Sequence, residues 1–379
     1  LVTGQNPRRG AHDDLIGIIA AQGWADPALF PDFRSDLEDI VGQGAELWIE
    51  ARHRWGGFDL LSHAWGLRSE GVNSWGKLAM KFIDSHHHLW DLEALDRGLD
   101  YGWLRDIGAP KPFGDPTPIQ RSYLAPEFKQ DAGTGLMASV HVQCDPGLSD
   151  PVAETAFIAA VEAEFGFPNA IVGFADLTKA DLAETLDRHQ AFPLFRGVRQ
   201  IVAREPSRPD ISFRKDDLLA DPNFQAGLSE VARRGLSFDL QLYPGQMRQA
   251  AELLAKHPEM PVIVDHAGSP FDQTPEGLAV WEQGLEALAA LPHTSIKLSG
   301  FGMYDTRWSL ASSQMLFLSI LRIFGPDRIM LGSNYPVDKL MKPYADILAI
   351  WAAWLEMLPV DQQEAIAWRN AARAYKIDI

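Results

Sequence analysis

The sequence lacks the features that mark secreted, membrane-spanning and nucleic-acid-binding proteins. Its 379 residues include a single cysteine, Cys144, which excludes an internal disulfide and is typical of a reducing compartment. No apolar run reaches the roughly 18 residues that a membrane span requires. The formal net charge of −17 argues against nonspecific binding to nucleic acid or to an anionic membrane. With no evident secretory signal, we expect a cytoplasmic protein without membrane or nucleic-acid partners, and the oligomeric state stays open.

The sequence also has no Gly-x-Gly-x-x-Gly motif after a predicted strand, which argues against a dinucleotide-binding fold. From Met80 onward, short apolar segments alternate with longer amphipathic ones. Eight segments are predicted strands: KFIDSH, GLMASVHVQC, AIVGFADL, LFRGVRQIV, LSFDLQLY, PVIVDHAG, TSIKLSGF and RIMLGSNYPV. Eight strands alternating with helices over about 300 residues predict an α/β protein built as a closed (β/α)₈ TIM barrel.

Residues 1–79 differ in character from the rest of the chain. They are rich in tryptophan and glycine and contain no motif of a catalytic or binding site. We therefore predict an N-terminal extension of unknown role over residues 1–79 and a complete barrel over residues 80–379, with Met80 as a candidate start of the barrel. A chain without the extension is expected to fold.

Polar side chains occur at nearly every predicted strand end. Active-site groups of a (β/α)₈ barrel lie at these ends. Buried polar groups cost free energy unless they are paired, so a polar set this complete indicates a site rather than a core. Its members are His86, His88, His141, Gln143, Asp176, Arg199, Gln241, Tyr243, Asp265, His266, Lys297, Ser299, Asn334 and Asp338.

The segment FIDSHHHLWD contains three consecutive histidines, His86, His87 and His88. Because successive side chains of a strand alternate, His86 and His88 share one face and His87 points away from it. Two imidazoles at that spacing can converge on one metal ion or one substrate group. Replacement of His87 is expected to be mild, about 0.5 kcal/mol, as for a partly exposed residue.

Six segments, in order along the chain, resemble one family. FIDSHHHLWD, FRGVRQ, LSFDLQLYP, VIVDHAGSP, IKLSGFGM and IMLGSNYPVDK are together similar to the amidohydrolase-related TIM-barrel family, which includes fuconolactonase-like sugar lactonases and 2-pyrone-4,6-dicarboxylate lactonase. The resemblance covers roughly residues 80–379. It implies a hydrolase that opens a small sugar lactone or a carboxylate-bearing lactone, with a small molecule as its partner.

In that family a His-x-His pair closes the first strand and another histidine closes the sixth. The resemblance therefore implies roles for His86, His88 and His266, either as ligands of one divalent ion such as zinc or as groups of a metal-free site. Both alternatives stay open. Gln241 lies near the position where metal-dependent relatives place a histidine, and no lysine stands out as a bridging ligand, so a binuclear centre is not expected.

The family's aspartate after the eighth strand is replaced here by Asn334. An amide can position a water but cannot take a proton at neutral pH, and Asp338 is the nearest spare carboxylate. The catalytic candidates are His266, as general base or orienting group, with Asn334 and Asp338. An inward arginine suits capture of a substrate carboxylate. The predicted substrate-binding residues are Arg199, Tyr243, Gln241 and His141.

Two other functions are compatible with the same barrel. A nonoxidative decarboxylase would need a firmly held metal ion to stabilise carbanion charge. A barrel that has lost catalysis and merely binds a ligand would tolerate Asn334.

Overall fold

The computed structural model describes residues 80–107, 109, 111, 113–144 and 147–379, so the predicted extension over residues 1–79 lies outside the described residues. Eight parallel strands form one sheet in chain order, each pairing with the next. The strands are β1 (Phe82–His87), β2 (Leu136–Val142), β3 (Ala170–Gly173), β4 (Phe195–Arg199), β5 (Ser237–Leu240), β6 (Val262–Val264), β7 (Thr294–Leu298) and β8 (Ile329–Leu331). The predicted (β/α)₈ architecture is confirmed.

Helices connect successive strands and continue after β8. They are α1 (Gly102–Arg105), α2 (Ala125–Ala132), α3 (Val152–Phe165), α4 (Leu182–Gln190), α5 (Pro222–Arg233), α6 (Met247–Leu254), α7 (Pro275–Ala289), α8 (Leu310–Phe324), α9 (Tyr344–Glu356), α10 (Val360–Glu364) and α11 (Asn370–Tyr375), with a π-helical turn over Ala365–Arg369. Within the described residues, no helix combines the length and apolar character that crossing a bilayer demands.

Local sequence signals fix several of these helix ends. The Asp221 side chain accepts a hydrogen bond from the backbone N–H of Asn223 at 2.8 Å, and Pro222 occupies the first helical position of α5, an arrangement that satisfies an otherwise unpaired donor. At the other end of a helix, Gly166 closes α3 with φ 78°. That left-handed conformation favours glycine because a Cβ would be crowded there.

The barrel interior divides into an apolar part and a charged part. Inward residues of five strands pack against the C-terminal residues that close one end of the barrel; among them are Ile83, Val140, Val172, Ile263 and Met330, which meet Tyr375 and Ile377. Strands β4, β5 and β7 instead carry Arg199, Asp239 and Lys297, all buried. Charges at such positions must be paired, since isolated burial of a charge is prohibitively costly.

A β-bulge in β1 sets the direction of the three histidines. Asp84 pairs with Ser139 and His87 with His141, so β1 spans three residues where β2 spans two. One extra residue reverses the alternation of side chains along the strand. Ile83 faces the barrel interior, and beyond the bulge His86 and His88 face it as well, while His87 lies on the outer face.

Asp84 joins the first strand to the chain that follows the last one. Its carboxylate accepts hydrogen bonds from the backbone N–H of Ser333 at 2.9 Å, the Ser333 hydroxyl at 2.6 Å and the Tyr344 hydroxyl at 2.8 Å. Just beyond Asp84, the backbone N–H of His88 donates to the backbone carbonyl of Tyr335 at 2.7 Å. The backbone N–H of Asn334 donates to the backbone carbonyl of His86, also at 2.7 Å. These contacts join β1 to the chain that follows β8, at the end of the barrel where the site lies.

His87 points away from the barrel mouth, as alternation predicted, but it is not partly exposed. The ring is 0% exposed and stacks on Phe128 of α2, with centroids 3.9 Å apart and an interplanar angle of 11°. Its Nε2 lies 3.0 Å from the Ser139 hydroxyl. The expected mild effect of replacing His87 was therefore wrong in its premise, because the outer face of β1 is covered by a helix.

We predict that His87→Ala lowers the free energy of unfolding by about 2–4 kcal/mol, since it removes a buried stacked ring and leaves the Ser139 hydroxyl without its partner. His293→Ala is the matched control, because His293 is partly exposed and should cost about 0.5 kcal/mol. Urea denaturation followed by circular dichroism measures both. Equal losses in the two variants would contradict the packing described for His87.

Candidate active site

The structure brings most of the predicted site residues together inside the barrel mouth. The rings of His86 and His88 have centroids 5.1 Å apart, and those of His86 and His266 lie 4.6 Å apart. Arg199 reaches the same group, with Nη1 3.4 Å from His86 Nε2. Its Nη1 also donates to the Gln241 side-chain carbonyl at 3.3 Å. Three histidines, one arginine and one amide thus share a buried polar site.

The partners of His86 assign its tautomer. Nε2 faces Arg199, and because a guanidinium has only donors, Nε2 must accept. Nδ1 therefore carries the hydrogen and donates to Asp265 Oδ1 at 3.2 Å. The Lys297 ammonium, 3.2 Å from the same nitrogen, directs its hydrogens to the two carboxylates instead. Burial holds the pKa of His86 well below its ordinary value, although Asp265 opposes the shift. The ring is neutral, with its lone pair on the side of the barrel mouth.

His88 has the same tautomer for a different reason. Its Nδ1 lies 2.7 Å from the carbonyl oxygen of Val142, which can only accept, so Nδ1 carries the hydrogen. Burial, with Arg199 nearby, holds the pKa of His88 well below its ordinary value. Both members of the His-x-His pair are therefore neutral, and both leave Nε2 as an acceptor.

His266 lies in a left-handed turn that immediately follows β6. His266, Ala267, Gly268 and Ser269 have φ values of 55°, 53°, 69° and 55°, conformations that cost non-glycine residues of order 1 kcal/mol each. Neighbours hold the turn in place: Trp281 Nε1 donates to the Ala267 carbonyl at 2.8 Å. Burial lowers the pKa of His266 to about 3, so this ring is neutral as well.

Lys297 was predicted to lie at a polar strand end, but its role in the site was not predicted. Its ammonium is 0% exposed and lies 2.5 Å from Asp239 Oδ2 and 3.1 Å from Asp265 Oδ1. It also lies 3.2 Å from His86 Nδ1. Tyr375 of α11 donates its hydroxyl hydrogen to Asp239 Oδ2 at 2.8 Å. Lysine, two carboxylates and a C-terminal tyrosine form a continuous buried network beneath the histidines.

The two carboxylates of this network differ in their affinity for a proton. Burial raises the pKa of Asp239 to about 6, against the effect of Lys297. Burial alone would raise the pKa of Asp265 too, but the positive charge of Lys297 and the contact with His86 hold it well below its ordinary value. Asp265 is therefore a carboxylate at neutral pH and can accept the Nδ1 hydrogen of His86.

Asp239 was not among the predicted residues, although its sequence signal is the same as that of Lys297. Each is the single charged residue in the middle of a short apolar strand, in SIKLS and SFDLQ. In a parallel strand buried on both faces, such a residue needs a polar or oppositely charged partner wherever it points. Asp265 was recognised as a polar strand end, but its pairing with His86 depends on barrel closure.

Asn334 and Asp338 occupy the mouth next to His88. Asn334 has φ 56°, a conformation that asparagine tolerates, and its side-chain carbonyl lies 3.3 Å from His88 Nε2. Its amide nitrogen donates to Asp338 Oδ1 at 2.8 Å. Burial raises the pKa of Asp338 to about 7, opposed by hydrogen bonds from Asn334 and Gly302. The predicted catalytic residues Asn334 and Asp338 are therefore hydrogen-bonded to each other.

Two of the predicted substrate-binding residues lie elsewhere. His141 is on the outer face of β2, where its Nδ1 accepts from the Leu89 backbone N–H at 3.2 Å and its Nε2 faces Glu154 at 3.2 Å. The Tyr243 hydroxyl donates to the Ile211 carbonyl at 2.6 Å. Both polar ends are occupied by structural partners, so the contacts give neither residue a free group toward the histidines.

Comparison with known proteins shows the family of this chain. The Amidohydrolase family profile matches residues 83–377. The chain belongs to the amidohydrolase family. It is 36% identical to the protein y4mH of Sinorhizobium fredii, over 78% of this chain and 98% of that protein. It is 30% identical to an L-fucono-1,5-lactonase of Burkholderia multivorans, over 78% of this chain and 96% of that protein.

Among solved structures, a zinc-bound amidohydrolase of Burkholderia multivorans is similar to this chain with a TM-score of 0.66. The two are 27% identical, and the match covers 79% of this chain and all of the other. The chain described here also has groups that could bind a divalent ion. Candidate ligand atoms of His86, Asp265 and His266 all lie within 4.8 Å of one another.

This donor set differs from the predicted one and already faces fixed cations. Asp265 takes the place that the family resemblance implied for His88. Lys297 lies 3.1 Å from Asp265 Oδ1, and Arg199 lies 3.6 Å from its Oδ2. A divalent ion about 4 Å from a unit positive charge is repelled by on the order of 8 kcal/mol at an effective dielectric constant near 20. The donor types suit zinc, but repulsion from the two neighbouring cations offsets the attraction of the Asp265 carboxylate.

Gly300 allows the His266 ring to occupy its position. Gly300 has φ 65°, and a Cβ added there would lie 2.4 Å from His266 Nδ1. Gly166 has a similar left-handed conformation, with φ 78° and ψ 10°, and nothing lies within 4 Å of an added Cβ there. The two glycines share the same backbone requirement and differ only in the neighbouring histidine.

We predict that Gly300→Ala and Gly166→Ala both lower the free energy of unfolding, by about 1–2 kcal/mol for the left-handed backbone, and that only Gly300→Ala displaces the His266 ring. Crystal structures and urea denaturation of both variants measure the two effects. An unmoved His266 ring in Gly300→Ala would show that the loop, rather than the glycine, positions it.

Proposed function

We propose that this amidohydrolase is a lactonase that hydrolyses a small sugar lactone or a carboxylate-bearing lactone without a bound metal ion. The observation that carries the proposal is the convergence of neutral imidazoles with Arg199 in one buried mouth. Ester hydrolysis needs a proton acceptor for water and a donor for the carbonyl oxygen. Similarity to L-fucono-1,5-lactonases at 26–30% identity supports the substrate class.

The side chains divide the reaction between them. Arg199 donates a hydrogen bond to the lactone carbonyl oxygen, where negative charge develops as water attacks. A bond forms between the water oxygen and the carbonyl carbon, and the water proton passes to His266. The ring C–O bond then breaks, and the same proton goes to the alkoxide, which leaves as the hydroxyl of the product hydroxy acid. Asp265 stabilises the transient positive charge on His266.

Buried cations take the role that a metal ion would have in this proposal. Lys297 and Arg199 balance Asp239 and Asp265, so the network has two charges of each sign. A divalent ion at His86, Asp265 and His266 would add two positive charges and would also engage the lone pair that His266 needs as a base. A decarboxylase would need that ion held firmly, and the charge arrangement favours the lactonase.

We predict that His266→Ala lowers kcat for lactone hydrolysis by about 10²–10⁴-fold, the usual effect of removing a positioned acid–base group. Proton release from a panel of sugar 1,5-lactones and dicarboxylate lactones measures turnover, and His293→Ala is the control for histidine loss outside the site. Near-full turnover in His266→Ala would exclude it as the base. Absence of turnover with every lactone would refute the proposed function.

Removal of metal is expected to leave turnover unchanged. Dialysis against a chelator, followed by zinc analysis and the same proton-release assay, should give a metal-free protein with the kcat of the starting material. The physical reason is that Arg199 and Lys297 already supply positive charge to the site. Loss of activity that one equivalent of zinc restores would contradict the metal-free mechanism but not the lactonase activity.

A further inference from the structure

The amide of Asn334 lies between His88 and Asp338, and its two ends meet different partners. The nitrogen donates to Asp338 Oδ1 at 2.8 Å, and the oxygen lies 3.3 Å from His88 Nε2. Asn334 and Asp338 are each 1% exposed. Bulk water therefore does not compete for these groups, and the orientation of the amide depends on the side chains around it.

Asp338 fixes that orientation because two donors converge on it. The Asn334 amide nitrogen points at Oδ1 and the Gly302 backbone N–H points at Oδ2, at 3.4 Å. A carboxyl group can accept on two oxygens, whereas a side-chain amide has a single oxygen. In the described part of the chain, no Lys or Arg forms an ion pair with Asp338. Accepting these two hydrogen bonds is therefore its evident task, and the amide oxygen is left facing His88.

That orientation places two acceptors against each other. His88 donates through Nδ1 to Val142, so its Nε2 has a lone pair, and the Asn334 oxygen opposite has lone pairs as well. Neither atom can donate to the other. Buried acceptors normally have a donor, and a single O–H hydrogen shared between these two atoms would satisfy both.

We propose that Asp338 is a positioning residue that locks Asn334, so that its Oδ1 and His88 Nε2 together form a seat for one O–H group. Resting on the lactonase function proposed above, we assign this group to the attacking water. The seat takes one water hydrogen and leaves the other for His266. An amide can thus occupy this position without accepting a proton, because it orients the water and His266 takes the proton.

A carboxyl–amide exchange tests the assignment. In Asp338→Asn, one amide cannot accept from both Gly302 and Asn334, so Asn334 is free to turn its nitrogen toward His88. We expect kcat for lactone hydrolysis to fall by about 10²-fold with KM nearly unchanged. In the double variant Asn334→Asp/Asp338→Asn the hydrogen bond reverses its direction, an oxygen again faces His88, and kcat should recover to within about 10-fold of wild type.

The control is Asp346→Asn, the same chemical change at an exposed position; it should leave kcat unchanged. Recovery in the double variant would support the seat. If Asp338 only held the loop in place, a carboxylate moved to position 334 would not restore kcat. An unaltered kcat in Asp338→Asn, or a folded double variant no more active than Asp338→Asn, would overturn the proposal.

If Asp338→Asn does not fold, Asn334→Asp alone is compared with the double variant. It places two carboxyls against each other and should be the less active of the two; equal activity would overturn the proposal.

Failure of the proposed function would look different from failure of this inference. If the wild-type chain hydrolyses no lactone, the proposed lactonase function is refuted before any variant is compared. If the wild-type chain hydrolyses a lactone but the variants do not show loss in Asp338→Asn and recovery in the double variant, the seat is refuted and the lactonase function stands.

Discussion

The ammonium of Lys297, held between Asp239 and Asp265, is the interaction on which the rest of the site depends. A charged group inside a barrel is tolerated only when it is paired, and removing one partner of such a buried pair typically costs about 3–5 kcal/mol. Here Lys297 has two carboxylates and is 0% exposed. Because it keeps Asp265 ionised, it also sets the partner that His86 meets and hence the tautomer of that ring.

The charge balance of this network has chemical consequences at the barrel mouth. Burial and neighbouring cations hold the pKa values of His86, His88 and His266 below their ordinary values, so all three rings are neutral. Neutral imidazoles can accept a proton or orient a water through their ring lone pairs, and Arg199 supplies the complementary donor. The arrangement combines acceptor and donor functions within one buried volume, as hydrolysis of an ester requires.

The sequence was informative wherever periodicity carried the information. Eight apolar segments separated by amphipathic ones predict the barrel, and polar residues at their ends predict the mouth. The direction of His86 was less secure, because plain alternation from Ile83, which faces the interior, would have turned His87 inward. The extra residue in β1 reverses that phase, and nothing in FIDSHHHLWD reveals a bulge. The family resemblance, rather than strand geometry, identified His86 and His88 as the functional pair.

Long-range pairing accounts for most of what the sequence did not reveal. Lys297 contacts Asp239, a residue 58 positions earlier in the chain, and neither strand alone indicates that partner. The replacement of the family's aspartate by Asn334 was visible in the sequence. That Asp338 would accept from its amide depends on the short turn after β8. The burial of His87 depends on α2, which covers β1 from outside.

The ionisation and tautomer of His86 and His88 test the central claim most directly. Nitrogen-15 NMR of histidine-labelled protein distinguishes a protonated from an unprotonated ring nitrogen at each site. We expect both rings to be neutral between pH 6 and 8, with hydrogen on Nδ1 and a lone pair on Nε2, and we expect Lys297→Met to alter the signal of His86. An imidazolium at either position near pH 7, or hydrogen on Nε2, would contradict it.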